Sequence, residues 1–208
     1  MGFRSQSTLI SAYNFAHVPS DAHDGPKAGV LFSALAVEAF LNDLAEFVDM
    51  PHSWGDERVD ALAEILPELE KERAQIKTKV QLTYFILTGK RIGKGHDPYQ
   101  SYSLLVDLRN RIVHGRPAVM QFVNQVAQAM PNDQKFVERL IAAGAGDESY
   151  AKGPNWEAIA WNPKCAIWAH NTALNMILHI VDAFPTENLR HTFRVLFRVE
   201  EPKRKCEQ

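Results

Sequence analysis

The chain has 208 residues, of which 46% are hydrophobic and 23% are charged, and its formal net charge is −2. These values are ordinary for a soluble globular protein with its own core, and they argue against a protein coated all over with basic charge. Cys165 and Cys206 show no CxxC spacing and no disulfide framework, which fits a reducing compartment. The N-terminus lacks the apolar core of a signal peptide, and no apolar run is expected to span a membrane. We therefore expect a soluble cytoplasmic protein with no membrane association.

Helical periodicity dominates the first half of the chain. A helix over residues 25–49 has apolar side chains around most of its circumference, which predicts a central place in a bundle. A short amphipathic helix is predicted over residues 57–66. Pro67 then suits the first turn of a long helix that ends at Thr88, before a capping glycine. A basic loop leads to a further helix over residues 98–114, which Gly-Arg-Pro stops.

The second half also has a mainly helical pattern. Four helices are predicted there, over residues 118–130, 133–143, 163–184 and 187–198. Asn162 should cap the third of these helices, and a loop should cover residues 144–156. The last segment also alternates somewhat like a strand. The sequence thus predicts an all-α helical bundle, with a core over residues 1–117 and a C-terminal helical extension over residues 118–208 that packs on it.

The most informative segment is residues 107–117, which read Asp-Leu-Arg-Asn-Arg-Ile-Val-His-Gly-Arg-Pro. Arginine and histidine are rarely buried alone, so a helix end that carries both either pairs them or uses them. Asn110 and His114 are four residues apart and share a helix face. Arg109 lies about 140° around the axis from His114, at roughly 100° per residue. A site that uses both needs a loosened last turn or a second copy of the helix, which a two-fold dimer supplies.

An arginine and a histidine together suit the cleavage of an RNA phosphodiester bond. A histidine titrates near neutral pH, so it can take the proton of a 2′-hydroxyl or protonate the leaving oxygen. An arginine can stabilise charge on the phosphoryl oxygens through two parallel hydrogen bonds. This chemistry requires neither a metal nor a cofactor, and we predict none.

Charge is distributed unevenly along the chain. Residues 31–70 contain ten acids and one base, a net charge of −9, whereas residues 71–116 contain ten bases and three acids, a net charge of +7. The basic half contains the motif and suits a polyanion such as RNA, although the two halves could also pack together and neutralise each other. The candidate substrate contacts are cations in this half, namely Arg111, Arg116, Lys90, Arg91 and Lys94.

The motif resembles that of the HEPN superfamily (higher eukaryotes and prokaryotes nucleotide-binding). That signature is an arginine, often followed by asparagine, with a histidine a few residues later at the end of a bundle helix. Here residues 109–115 read Arg-Asn-Arg-Ile-Val-His-Gly. Residues 36–44, Ala-Val-Glu-Ala-Phe-Leu-Asn-Asp-Leu, are similar to an earlier helix of abortive-infection members. The resemblance covers about residues 25–117, roughly half of the chain.

The resemblance implies a four-helix core that pairs as a homodimer, bringing two motifs to one cleft. Many members are metal-independent endoribonucleases of toxin–antitoxin or defence systems, and others keep the fold without cleavage. By resemblance, Arg109 and His114 are catalytic, Asn110 orients the histidine, and Glu38 and Asn42 have supporting roles. An antitoxin or another defence protein is then an expected partner.

Structural interpretations of the same residues remain open. His114 could cap its helix, and Arg109 could pair with an acid of another helix. Glu38 and Asn42 share a face with further acids, which is typical of a solvated stripe. The alternative to a nuclease is therefore a non-catalytic helical module that binds a protein or a nucleotide. His170 has no neighbouring set of ligands in the sequence that would favour zinc.

Overall fold

Helices make up most of the chain that the structure describes. The structure is a computed structural model and describes residues 4–17, 25–48, 55–114, 120–123, 126–129, 131–152 and 156–196. These ranges contain the α-helices α1 (Arg4–His17), α2 (Gly25–Val48), α3 (Glu57–Lys71), α4 (Ile76–Thr88), α5 (Tyr99–Val113), α6 (Pro131–Ala142), α7 (Trp156–Ala160), α8 (Pro163–Asp182) and α9 (Glu187–Leu196). A 3-10 helix (Glu148–Lys152) and one β-hairpin complete the described secondary structure. The predicted all-α helical bundle is confirmed.

α2 is the helix around which the others pack. It contacts α1, α3, α5 and α8, and most of its apolar side chains are buried. Phe40 and Leu44 are fully buried. Gly29 allows α8 to approach closely, because a Cβ atom at this position would lie 2.9 Å from the Cβ atom of Ala166. The central place predicted for this helix is therefore confirmed.

α2 is also the one described helix that is long and apolar enough to cross a membrane. The sequence was expected to contain no such run, and by length and composition that expectation is wrong for Gly25–Val48. The core helix of a soluble protein meets the same test, and 56% of the apolar window is buried inside this protein. Packing against α1 and α8 accounts for the apolar composition of α2.

α1 is a helix that the sequence pattern did not predict. Its N-terminus is capped by a residue from α2, since the Asp43 carboxylate accepts hydrogen bonds from the backbone N–H of Ser5 at 2.8 Å and from that of Arg4 at 3.3 Å. The Ser5 hydroxyl donates to the same carboxylate at 2.5 Å. Because this cap lies 38 residues away along the chain, no local signal marks where the helix begins.

The prediction for residues 57–88 is partly wrong. Pro67 does not begin a helix but lies inside α3, on its exposed side. The chain then turns at Arg73, whose φ of 52° is left-handed, and α4 starts afresh at residue 76. The predicted end of α4 is confirmed, because Gly89 has a φ of 69° and its N–H donates to the Phe85 carbonyl at 2.7 Å.

The helix predicted over residues 118–130 is wrong. Met120–Val123 (β1) and Val126–Ala129 (β2) instead form an antiparallel hairpin, with Met120 opposite Ala129. Val123 and Val126 are the partners at one end of this pairing. In segments this short, the pattern of apolar and polar residues fits a helix face almost as well as a strand. The pairing between the two segments is what stabilises the hairpin over a helix.

The remaining elements largely follow the predicted order. Asn162 caps α8, with its side-chain oxygen accepting from the Lys164 N–H at 2.9 Å. The last segment is the helix α9 rather than a strand. The predicted loop over residues 144–156 contains a 3-10 helix and the start of α7. α8 packs against α1, α2 and α5, so the second half of the chain shares one core with the first.

Candidate active site at the end of α5

α5 carries the motif and ends where the sequence predicts. Its core side is fixed by Tyr102, Leu105 and Leu108, which are fully buried. The helix closes with the backbone N–H of His114, which donates to the Asn110 carbonyl at 3.0 Å. The last turn is therefore intact, and its side chains keep ideal helical directions.

His114 and Asn110 line a cleft of about 710 Å³ between α5 and α6. The His114 side chain is exposed, and within the described residues it has no hydrogen-bond or ion-pair partner. α6 adds Lys135 and Arg139 to the opposite wall. The acid that lines the cleft, Asp107, accepts from Lys77 Nζ at 2.6 Å. The exposed imidazole thus shares this cleft with two cations.

Arg109 lies on the other side of α5. It lines a smaller cleft of about 360 Å³, together with Glu38 and Lys77. Its Nη1 atom donates to the Asn110 side-chain oxygen at 3.1 Å, and Asn110 lines both clefts. One chain therefore keeps Arg109 and His114 apart, as helical geometry predicts, and Asn110 forms the ridge between them.

Tyr102 is a fully buried residue of α5 whose hydroxyl group is affected by the charges of Glu38 and Arg109, two residues that line the smaller cleft. Burial raises the pKa of its hydroxyl group, and the negative charge of Glu38 raises it further, while Arg109 acts in the opposite direction. The hydroxyl oxygen is buried without a hydrogen-bond partner among the described residues. Tyr102 is thus a buried core residue whose surroundings disfavour the charged form of its hydroxyl group.

Arg111, predicted as a substrate contact, is held by the protein itself. Its Nη1 atom donates to Asp133 Oδ1 at 2.5 Å, and the two side chains are 23% and 11% exposed. The guanidinium carbon also lies 4.2 Å from the centre of the Phe136 ring and 5.9 Å from that of Trp156. Arg111 therefore fastens α5 to α6 and α7 while also lining the cleft that contains His114, and its role as a substrate contact stays a prediction.

The structure does not bring the other predicted residues to the motif. Lys90, Arg91 and Lys94 lie in the loop before α5, at the opposite end of that helix from His114. Asn42 lines a separate cleft of about 390 Å³ that contains the Lys79–Glu70 ion pair. Arg116 lies outside the described residues. Of the two supporting residues, Glu38 alone is near Arg109.

Lys135 and Arg139 are the site residues that sequence reasoning missed. They are four apart on α6, so they share one face, and both are exposed. The four-residue spacing can be seen in the sequence. No local sequence signal predicts that this face of α6 lines the same cleft as His114. Among the described residues, no group of three His, Cys, Asp or Glu side chains is placed to hold a metal ion.

No family model matches this chain, and neither a curated protein nor a solved structure is similar to it.

Proposed function

We propose that this protein is a metal-independent endoribonuclease of the HEPN type, acting as a homodimer. The observation that supports it most is the His114 imidazole, which is exposed, has no partner among the described residues, and lies in a cleft that Lys135 and Arg139 also line. An open cleft with unpaired cations suits a polyanion.

The proposed reaction needs two proton transfers and one stabilised charge. A 2′-hydroxyl attacks the adjacent phosphorus as His114 takes its proton, the bond to the 5′-oxygen breaks, and His114 passes that proton on to the 5′-oxygen, which leaves a 2′,3′-cyclic phosphate. Arg109 stabilises the charge on the non-bridging oxygens. Since Arg109 and His114 line different clefts in one chain, the second member of the pair comes from the partner copy.

The deciding experiment is RNA cleavage in the presence of EDTA by the wild type and by His114→Ala. We expect the wild type to cut single-stranded RNA and the variant to be about 10²- to 10⁴-fold slower, which is the usual contribution of a general acid or base. His191→Ala is the matched control, because this histidine is exposed on α9. It should keep the wild-type rate.

Either of two results would overturn the proposal. Equal rates for wild type and His114→Ala would remove His114 from catalysis. Failure of the wild type to cut any RNA would favour the second candidate, a non-catalytic helical module. That candidate is favoured by the contacts of Arg111 with Asp133 and of Arg109 with Asn110, which use two motif cations to hold the helix end.

A defence or toxin–antitoxin role, with an antitoxin as partner, is part of the same proposal and rests on the resemblance of residues 109–115 to the HEPN motif. A location in the cytoplasm follows from that role.

A further inference from the structure

A second cleft, of about 650 Å³, lies at the other end of α5 from His114, between α4 and the loop over residues 89–98. One wall is a single face of α4, with residues spaced three, one and three apart, namely Thr78, Gln81, Leu82 and Phe85. The loop supplies the other wall through Arg91, Ile92 and Lys94. Nothing in the proposed cleavage reaction uses this cleft.

The walls of this second cleft are fixed by the fold. Gly89, with its φ of 69°, reverses the chain at the end of α4 and returns it along the helix. Ile92 is 7% exposed and anchors the loop in the core. On the helix side, the Gln81 amide donates to the Tyr99 hydroxyl at the start of α5. The cleft is therefore formed before any ligand arrives.

The loop beside this cleft is cationic. Lys90, Arg91 and Lys94 are exposed, and none has an ion-pair partner within the described residues. The acid nearest to them in sequence, Asp97, accepts from the backbone N–H of Ser101 at 3.1 Å and from its hydroxyl at 2.6 Å. Among the residues that the structure describes, no acid lines the cleft itself. A polyanion would thus meet positive charge without first displacing a protein carboxylate.

An aromatic ring is exposed in the same cleft. Phe85 is 46% exposed, although phenylalanine is among the residues most often buried. Exposed aromatic rings beside cations are the usual platform for unpaired bases, because every base has a face that stacks on a ring. We propose that this cleft binds single-stranded RNA, with Phe85 stacking on a base while Arg91 and Lys94 contact phosphates.

A single strand fits these features better than the other polyanions do. A duplex keeps its bases stacked inside and offers none to Phe85. An acidic peptide would use the cations but gains nothing specific from the ring. α5 has 15 residues and is about 22 Å long, so a strand held in this cleft must extend several nucleotides to reach His114. The inference rests on the proposed function for its choice of RNA.

The test measures RNA binding in full-length protein that carries His114→Ala, so that the probe stays intact. The probe is a fluorescein-labelled oligouridine of about 12 nucleotides, within the site sizes usual for single-strand binding, and its anisotropy is followed. Adding Phe85→Ala should weaken binding about five-fold or more. Adding Arg91→Ala with Lys94→Ala should lower the slope of log affinity against log salt by about 1.4, or about 0.7 for each lost phosphate contact.

Matched controls use an exposed phenylalanine and an exposed lysine elsewhere. Phe15→Ala removes a ring from α1 that is 40% exposed, and Lys71→Ala removes a cation from the end of α3. Both should bind the oligouridine as the parent does. A circular dichroism melt of each variant shows whether it is folded, and Phe85→Ala should melt with its parent because the ring lies on the surface.

Three results would overturn the inference. If the Phe85→Ala variant and the variant lacking both cations bind oligouridine as tightly as the parent does, RNA does not bind this cleft. Equal affinity for the duplex of the same length removes the role of the ring. Tight, Phe85-independent binding of a labelled polyglutamate peptide would assign the cleft to an acidic protein. Oligouridine binding without cleavage by the wild type would refute the nuclease alone, and cleavage without any dependence on this cleft would refute the cleft alone.

Discussion

The imidazole of His170 lies in a setting that favours its neutral form. Burial on α8 lowers the pKa of this side chain, and the neighbouring charge of His17 lowers it further. The Tyr13 ring meets His170 edge-on at 5.6 Å and stacks on His17 at 4.1 Å, so these rings connect α1 to α8. Protonation of His170 therefore works against the docking of α1.

The sign of the pH dependence follows from this lowered pKa. An unfolded histidine binds its proton near pH 6.5, whereas folded His170 binds its proton at a lower pH. The free energy of unfolding should be highest above about pH 6.5 and should fall as the pH drops toward the folded pKa of His170. Burial of His179 against Tyr84 lowers its pKa as well and acts in the same direction.

We therefore expect denaturant unfolding of His170→Gln to depend less on pH than that of the wild type between about pH 7 and pH 5. Glutamine has similar polarity and cannot titrate. His191→Gln, at an exposed position on α9, serves as the control and should follow the wild type. A His170→Gln curve parallel to that of the wild type would contradict the assignment.

At the scale of elements, the close contact of α2 with α8 depends on Gly29. At Gly29 an added methyl group would lie 2.9 Å from the Ala166 Cβ atom and 3.6 Å from the Ala16 backbone nitrogen. Both neighbours belong to helices packed on α2, so neither can move without shifting a helix. The glycine is thus required by packing, although it weakens the helix that contains it.

Gly29→Ala tests this argument because helix propensity and packing predict opposite signs. Propensity alone would stabilise the protein by about 1 kcal/mol, whereas overpacking costs about 1–3 kcal/mol. We expect a net loss in the free energy of unfolding. Gly95→Ala is the control, because a methyl group there meets nothing within 4 Å and should change stability by less than about 0.5 kcal/mol. A Gly29→Ala protein more stable than the wild type would show that the helices separate at little cost.

At the scale of the whole molecule, the proposed active site is incomplete in one chain. Arg109 and His114 line clefts on opposite sides of the ridge formed by Asn110. A site that contains both an arginine and a histidine requires a second copy of the chain, related by a two-fold axis, to supply one of the two residues. The proposed nuclease is therefore expected to be a dimer in solution, with a site shared between its protomers.

Mixing two inactive variants tests the shared site. Arg109→Ala and His114→Ala should each be inactive alone, because each removes one member of every composite site. When equimolar amounts are unfolded and refolded together, half of the dimers are mixed, and each mixed dimer regains one of two sites. About a quarter of the wild-type activity should return. A refolded mixture that is dimeric by light scattering and still inactive would place both residues in a site within one chain.

Much of the helical architecture could be predicted because its signals are local. Apolar periodicity predicts α2, α5 and α8, Gly89 marks the end of α4, and the Asn162 cap marks the start of α8. α1 was missed because Asp43 caps it from another helix. The hairpin was missed because pairing between two short strands, rather than either strand alone, stabilises it.

The candidate site shows the same division. The sequence by itself determined that Asn110 and His114 share a helix face and that Arg109 points elsewhere, since 3.6 residues per turn requires it. Only the tertiary structure decided that Arg111 is tied to Asp133 and that Lys135 and Arg139 face His114, since α6 approaches α5 through packing. Residue spacing determines which side chains share a helix face, whereas the partner of each charged side chain depends on which helices pack together in the core.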